Sequence, residues 1–184
     1  MTLTETPICN FGEKAKRFDL LSTTNKKISL NDIKGENGTL IMFICNHCPY
    51  VKAVVKDIVE DAKYLETLGI KSVAIMSNDI KSYPEDSFEN MVSFSKLHNF
   101  SFLYLIDETQ KIAKEYGAVC TPDFFGYNKN LELQYRGRIR ELKNLKPVGK
   151  GDSDLNIAMS LIATSGKGPK NQIPSIGCNI KWFK

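Results

Sequence analysis

The chain has 184 residues, 42% of them hydrophobic, with five cysteines and a formal net charge of +4. That is the size of one domain able to fill a core, and five irregularly spaced cysteines are too few for a disulfide scaffold. No apolar run is long enough to span a membrane, and Met1 to Pro7 lacks the basic-then-apolar pattern of a signal peptide, so a cytoplasmic protein with no membrane partner is expected.

Along the chain, Phe18 to Leu21 and Lys27 to Leu30 read as a small β-hairpin, followed by one helical turn and a glycine-rich loop. Thr39 to Ile44 reads as a central strand, apolar on both faces. Val51, Val54, Val55, Ile58, Ala62, Leu65 and Leu68 then form one helical stripe, opened by Pro49 and stopped by Gly69. Ile70 to Met76 is a second strand. Pro84 and Glu85 open a second helix that carries Phe88, Met91, Val92 and Leu97. Phe102 to Ile106 is a third strand, and Thr109 to Tyr116 a short helix stopped by Gly117. Asp123 to Tyr127 and Leu131 to Gly137 read as a hairpin turning at Asn128-Lys129-Asn130. Asp154 to Thr164 is a last helix. Strand–helix–strand crossovers imply parallel pairing, so the order predicts a three-layer α/β domain around a mixed sheet over residues 1–164, with 165–184 as a tail without a clear period.

The chemistry concentrates at Cys45-Asn46-His47-Cys48-Pro49, between the central strand and its helix. A helix N-terminus offers unpaired N–H groups and a positive pole, which favour a thiolate, the reactive form of cysteine. The residues leave a metal clip open, with Cys45, Cys48 and Cys120 joined by His47, His98 or Cys178. Cys120 is a third redox partner or a small buried hydrophobe. Cys178, in the tail, is a resolving or regulatory thiol unless Ile176, Ile180 and Trp182 simply pack the tail down. Cys9 is incidental. Arg136, Arg138 and Arg140 alternate and so share one face, either a solvated edge or a group near the sulfur. Tyr50 with Phe124 and Phe125 offers an apolar rim for a substrate, or core packing. Residues 131–184 hold ten Lys/Arg against four Asp/Glu, read as a solvated surface; no nucleic-acid motif accompanies it.

Val119-Cys120-Thr121-Pro122 follows Cys48 at long range and opens a strand. This combination resembles the thioredoxin fold, and the insertion over about 78–98 resembles its larger redoxin branch. Cys-Asn-His-Cys-Pro-Tyr-Val, Val-Cys-Thr-Pro-Asp-Phe-Phe, Tyr-Arg-Gly-Arg-Ile and Gly-Cys-Asn-Ile-Lys-Trp together look like a subfamily of bacterial redoxins similar to thiol-specific antioxidant proteins. The resemblance implies a thioredoxin-like α/β/α fold with an N-terminal hairpin, a cis Pro122 beside Thr121 against the cysteines, and a role in cell redox homeostasis with no cofactor and no metal. Cys45, at the exposed lip of the helix with a lowered pKa, would attack a disulfide, and Cys48, one turn inward, would resolve it. His47 before the second cysteine resembles the dipeptide of strongly oxidising disulfide catalysts. The implied partners are protein or small-molecule disulfides and a thiol electron donor. Hydroperoxides replace them in the alternative of a thiol-dependent peroxidase, and a metal-binding or copper-chaperone module is a second alternative. Ile44 stands where relatives carry Trp, and Met42 where a peroxiredoxin needs Thr, which argues against efficient peroxide reduction.

Overall fold

Six residues that are buried without exception, Gly38–Phe43, form the middle of the molecule. A computed structural model describes residues 2–149 and 151–184. In chain order the strands are β1 (Leu3–Glu5), β2 (Asp19–Ser22), β3 (Lys27–Ser29), β4 (Gly38–Phe43), β5 (Ile70–Met76), β6 (Leu103–Ile106), β7 (Cys120–Thr121), β8 (Asp123–Asn128), β9 (Leu133–Tyr135), β10 (Leu142–Lys143), β11 (Lys146–Pro147) and β12 (Ile176–Asn179). The helices are α1 (Pro49–Thr67), α2 (Phe88–Leu97), α3 (Lys111–Tyr116) and α4 (Asp154–Ser165).

The main sheet runs β3-β2-β6-β5-β4-β8-β9. Strand β4 pairs parallel with β5 and antiparallel with β8, and β5 pairs parallel with β6. Period-two alternation splits the core into two layers. Leu40, Met42 and Ile44 face α1, α2 and α4, whereas Ile41 and Phe43 face α3. Helix α4 approaches β8 closely because Gly126 has no side chain; a Cβ there would run into the Met159 sulfur. The result is the thioredoxin-like three-layer architecture with a central mixed sheet.

Two expectations change. The helix expected from Pro84 begins later: Pro84–Asp86 is a short 3-10 turn, and α2 starts at Phe88 with Ser87 as its cap, whose hydroxyl accepts from the Asn90 N–H at 3.3 Å. The stretch expected as an unpatterned tail contains β12, which lies between β1 and β7 in a second, three-stranded sheet. Its four residues are Ile-Gly-Cys-Asn, too short and too mixed to show alternation, and their order comes from pairing on both sides. We call residues 176–179 the strap.

Candidate active site

Strand β4 delivers the chain to Cys45, and α1 starts at Cys48, its N-cap, with Pro49 in the first turn. There the missing N–H of proline costs no helical hydrogen bond. Cys45 Sγ lies 3.4 Å from the Thr121 hydroxyl, and the Cys48 thiol donates to the Thr121 carbonyl at 3.1 Å. The Thr121–Pro122 peptide bond is cis. Cys45, Cys48, Thr121 and Pro122, far apart in sequence, are thus one cluster. The two cysteines are thiols hydrogen-bonded to each other.

The electrostatics depart from the expectation that Cys45 carries the stabilised thiolate. The Cys45 thiol donates toward Cys48 and holds it down to about 5. The Thr121 hydroxyl and the backbone N–H groups of Val51 and Cys178 add to this, outweighing burial. The hydrogen bond to Cys48, then burial, then the charge of Asp86 push Cys45 well above the usual thiol range. The helix-start N–H groups point at the capping residue, and the capping residue is Cys48. The hydrogen bonds around the pair therefore favour a thiolate on Cys48 over one on Cys45.

Nor does Cys45 sit at an exposed lip. It is 1% exposed and Cys48 0%. Thr121 and the strap lie against the pair, and Asp86 binds the Asn46 and His47 N–H groups of the loop between them. Beside it, a cleft of about 330 Å³ is lined by Tyr50, Val54, Pro122, Ile139, Ile173 and Ile176. Tyr50 thus stands at a surface cleft, while Phe124 and Phe125 are core residues.

His47 is fixed by Asp86, a residue the sequence reading passed over. His47 Nδ1 lies 2.6 Å from Asp86 Oδ2, and the ring stacks on Tyr83 at 5.6 Å. The hydrogen bond to Asp86 raises the His47 pKa against the effect of burial. Burial pushes Asp86 up, yet hydrogen bonds from His47 and Asn78 outweigh it and leave the carboxyl below its ordinary value. Asp86 also accepts from the Asn46 and His47 N–H groups, and Tyr104 donates to the Asn46 side chain at 3.0 Å. The Asn78 side-chain oxygen Oδ1 in turn accepts the Lys181 N–H at 2.9 Å, which links this network to the chain just after the strap. A buried acid within hydrogen-bond reach of a histidine that sits between two cysteines was the signal, but forty residues of sequence hide the contact.

The other residues fall as follows. Cys120 points its thiol at the Pro122 carbonyl, 3.6 Å away, and burial raises its pKa far above the ordinary range. Cys178 lies opposite Thr121 and is 4% exposed. His98 caps the far end of α2 and packs on Phe94, away from the cysteines. The three arginines lie beyond β9, which ends at Tyr135, and do not share one face: Arg138 and Arg140 line the cleft and Arg136 does not. Arg136 donates to buried Asp123 at 2.9 Å and to the Gly117 carbonyl, Arg138 to Asp154, and Arg140 to Asp57. Arg136 is 8% exposed, so it belongs to an internal ion pair rather than a solvated edge or the sulfur site. Among the described residues, Cys45, His47 and Asp86 bring their ligand atoms within 4.8 Å of one another. They could hold a cation only if Asp86, already accepting four hydrogen bonds, released some of them. No helix of the described residues is long and apolar enough to cross a membrane.

Residues 11–142 match the AhpC/TSA family. The structure of an uncharacterized conserved protein from Geobacillus kaustophilus is 38% identical, with a TM-score of 0.94 over 100% of this chain and 97% of that one. A hypothetical protein from Sinorhizobium meliloti 1021 is 33% identical, with a TM-score of 0.90 over 98% of each chain. A secreted disulfide oxidoreductase from Mycobacterium tuberculosis shares the fold at 14% identity, with a TM-score of 0.58 over 80% of this chain and 95% of that one. No match is found among curated proteins. A Cys-x-x-Cys helix start against a cis-proline strand, inside this three-layer sheet, agrees with that match: the chain belongs to the AhpC/TSA family of thioredoxin-like redoxins.

Proposed function

We propose that the protein is a thiol–disulfide oxidoreductase that cycles Cys45 and Cys48 between dithiol and disulfide. The observation that carries the reading is the hydrogen-bonded pair of thiols at the start of α1, braced by Thr121. The Cys45 proton passes along the shared hydrogen bond to Cys48 as Cys45 attacks a substrate disulfide. One substrate thiolate leaves and takes that proton from Cys48, which is a thiolate again. Cys48, whose thiolate the Val51 and Cys178 N–H groups favour, then attacks the Cys45 sulfur of the mixed disulfide. The second substrate sulfur departs as a thiolate that takes a proton from solvent, and the Cys45–Cys48 bond remains. The substrate gains two electrons, which a thiol donor restores. Reaching buried sulfurs requires the strap or the Asp86 turn to move aside.

The test is trapping. Cys48→Ser, given a disulfide-bearing peptide, accumulates a mixed disulfide on Cys45; accumulation only in Cys45→Ser, on Cys48, reverses the roles; accumulation in neither rejects the reading. Family membership favours a second reading, reduction of hydroperoxides at Cys45. Arg136 is committed to Asp123 rather than to the sulfurs, which weighs against it. Stopped-flow oxidation by stoichiometric peroxide, far faster than that of free cysteine, would establish the peroxidase.

A further inference from the structure

Cys178 sits where a third sulfur can enter the cycle. Its strand pairs with β7 so that Cys178 lies opposite Thr121 and Asn179 opposite Cys120. Thr121 is the residue whose carbonyl accepts the Cys48 thiol. The Cys178 N–H donates to the Cys48 sulfur, and the two side chains hydrogen-bond as well. Cys45, Cys48 and Cys178 belong to one buried cluster with Val51 and Val54 of α1. Cys48 therefore has a sulfur neighbour on each side, one three residues earlier in its own loop and one on the strap.

Two features hold the strap at this spacing. Gly177 lets β12 approach so closely that a Cβ there would sit inside the Thr121 carbonyl. The Ser175 hydroxyl donates to the Pro122 carbonyl at 2.7 Å, and the Ser175 N–H donates to the Thr6 hydroxyl at 3.0 Å, anchoring the strap entrance beside the cis-proline. After the strap, the Lys181 N–H and carbonyl are tied to Asn78, Asp79 and Gln110. Position 178 is thus held against Cys48 from both ends. Cys120, one residue before Thr121, has its thiol turned to the Pro122 carbonyl.

We propose that Cys178 is a relay thiol, taking the disulfide from the Cys45–Cys48 pair by exchange to form Cys48–Cys178. The inference rests on the Cys45–Cys48 cycle above. In the step, the Cys178 thiol loses its proton and its sulfur attacks Cys48 Sγ of the oxidised pair. The Cys45–Cys48 bond breaks as the Cys48–Cys178 bond forms. Cys45 leaves as a thiolate and takes up a proton. One disulfide replaces another, so no further oxidant or reductant is consumed. The product frees Cys45 and ties the strap covalently to the start of α1.

Peptide mapping reads this directly. Trypsin leaves Cys45 and Cys48 in residues 35–52 and Cys178 in residues 171–181, so the original pair is an internal link and the relay product a cross-link. Full-length protein is oxidised with diamide, blocked with N-ethylmaleimide in acid, digested and analysed by mass spectrometry. Wild type is expected to yield both links. Cys45→Ser and Cys45→Ala are expected to give the 35–52 to 171–181 cross-link as the main product, in an amount independent of protein concentration. Cys178→Ser should lose the cross-link and keep the internal link. Separately blocked Cys48 and Cys178 in both Cys45 variants, with near-ultraviolet circular dichroism matching wild type, would overturn the relay while leaving the pair standing. Absence of the internal link from both wild type and Cys178→Ser would overturn the pair and the relay with it.

Discussion

Asp86 shows how one carboxylate organises the site. It is fully buried and takes hydrogen bonds from two backbone N–H groups, Asn78 and His47. Asp86→Ala leaves those donors without an acceptor, and a loss of about 2–4 kcal/mol in denaturant unfolding is expected. The pH dependence follows from the two directions. His47 has a raised pKa, so its contribution is complete below the ordinary value of about 6.5 and disappears as pH rises through the folded value. Asp86 has a lowered pKa, so its contribution is present above the ordinary value of about 3.9 and disappears as pH falls through the folded value. The melting-temperature gap between wild type and Asp86→Asn should be widest near pH ~5.5 and should narrow toward pH ~8. At the sulfurs, thiolate absorbance in wild type should show one proton lost well below the free-thiol value of about 8.5 and the next only well above it.

Among the elements, those with a strong period were legible and those shaped by a partner were not. The stripe from Val51 to Leu68 marks α1 and its glycine stop, and Ile70 to Met76 coincides with β5 residue for residue. The motif Cys45 to Pro49 and the distant Thr121-Pro122, which the fold brings together, stand out in the sequence because their chemistry is carried by residue type. Asp86 stays hidden because an aspartate after a proline reads as a helix start, and only the folded turn shows that its carboxylate faces His47. The strap stays hidden because four residues gain order from β1 and β7, not from their own pattern. Gly177→Ala tests that dependence. Its Cβ would collide with the Thr121 carbonyl, so a loss of about 1–3 kcal/mol and faster labelling of Cys48 by a thiol reagent are expected. The arginine series likewise reads as alternation until the strand ends. Arg136 holds the end of β9 against β8, where full burial pushes Asp123 up to about 6 even with the guanidinium beside it. Arg136→Met should destabilise by about 3–5 kcal/mol in urea unfolding, and adding Asp123→Asn should recover part of that.

Across the whole molecule, the candidate site lies where two sheets meet. The main sheet supplies the cysteine loop from β4, and the small sheet supplies the cover over it. The large sheet thus carries the cysteine pair under an element with few residues of its own, and an element that short is expected to open first. Shortening the chain to residue 174 removes the strap while leaving all of the seven-stranded sheet. The shortened protein should keep its far-ultraviolet circular dichroism and react with a thiol reagent at Cys45 or Cys48 at least tenfold faster than full-length protein. Equal rates would mean that the Asp86 turn, and not the strap, controls entry.

Because Leu3 stands directly across from Cys178, strand β1 and the strap are neighbours beside the candidate site. Anything fused ahead of the first residues begins beside that edge. A purification handle there would begin close to the strap, so potentials are best measured with it and again after its removal.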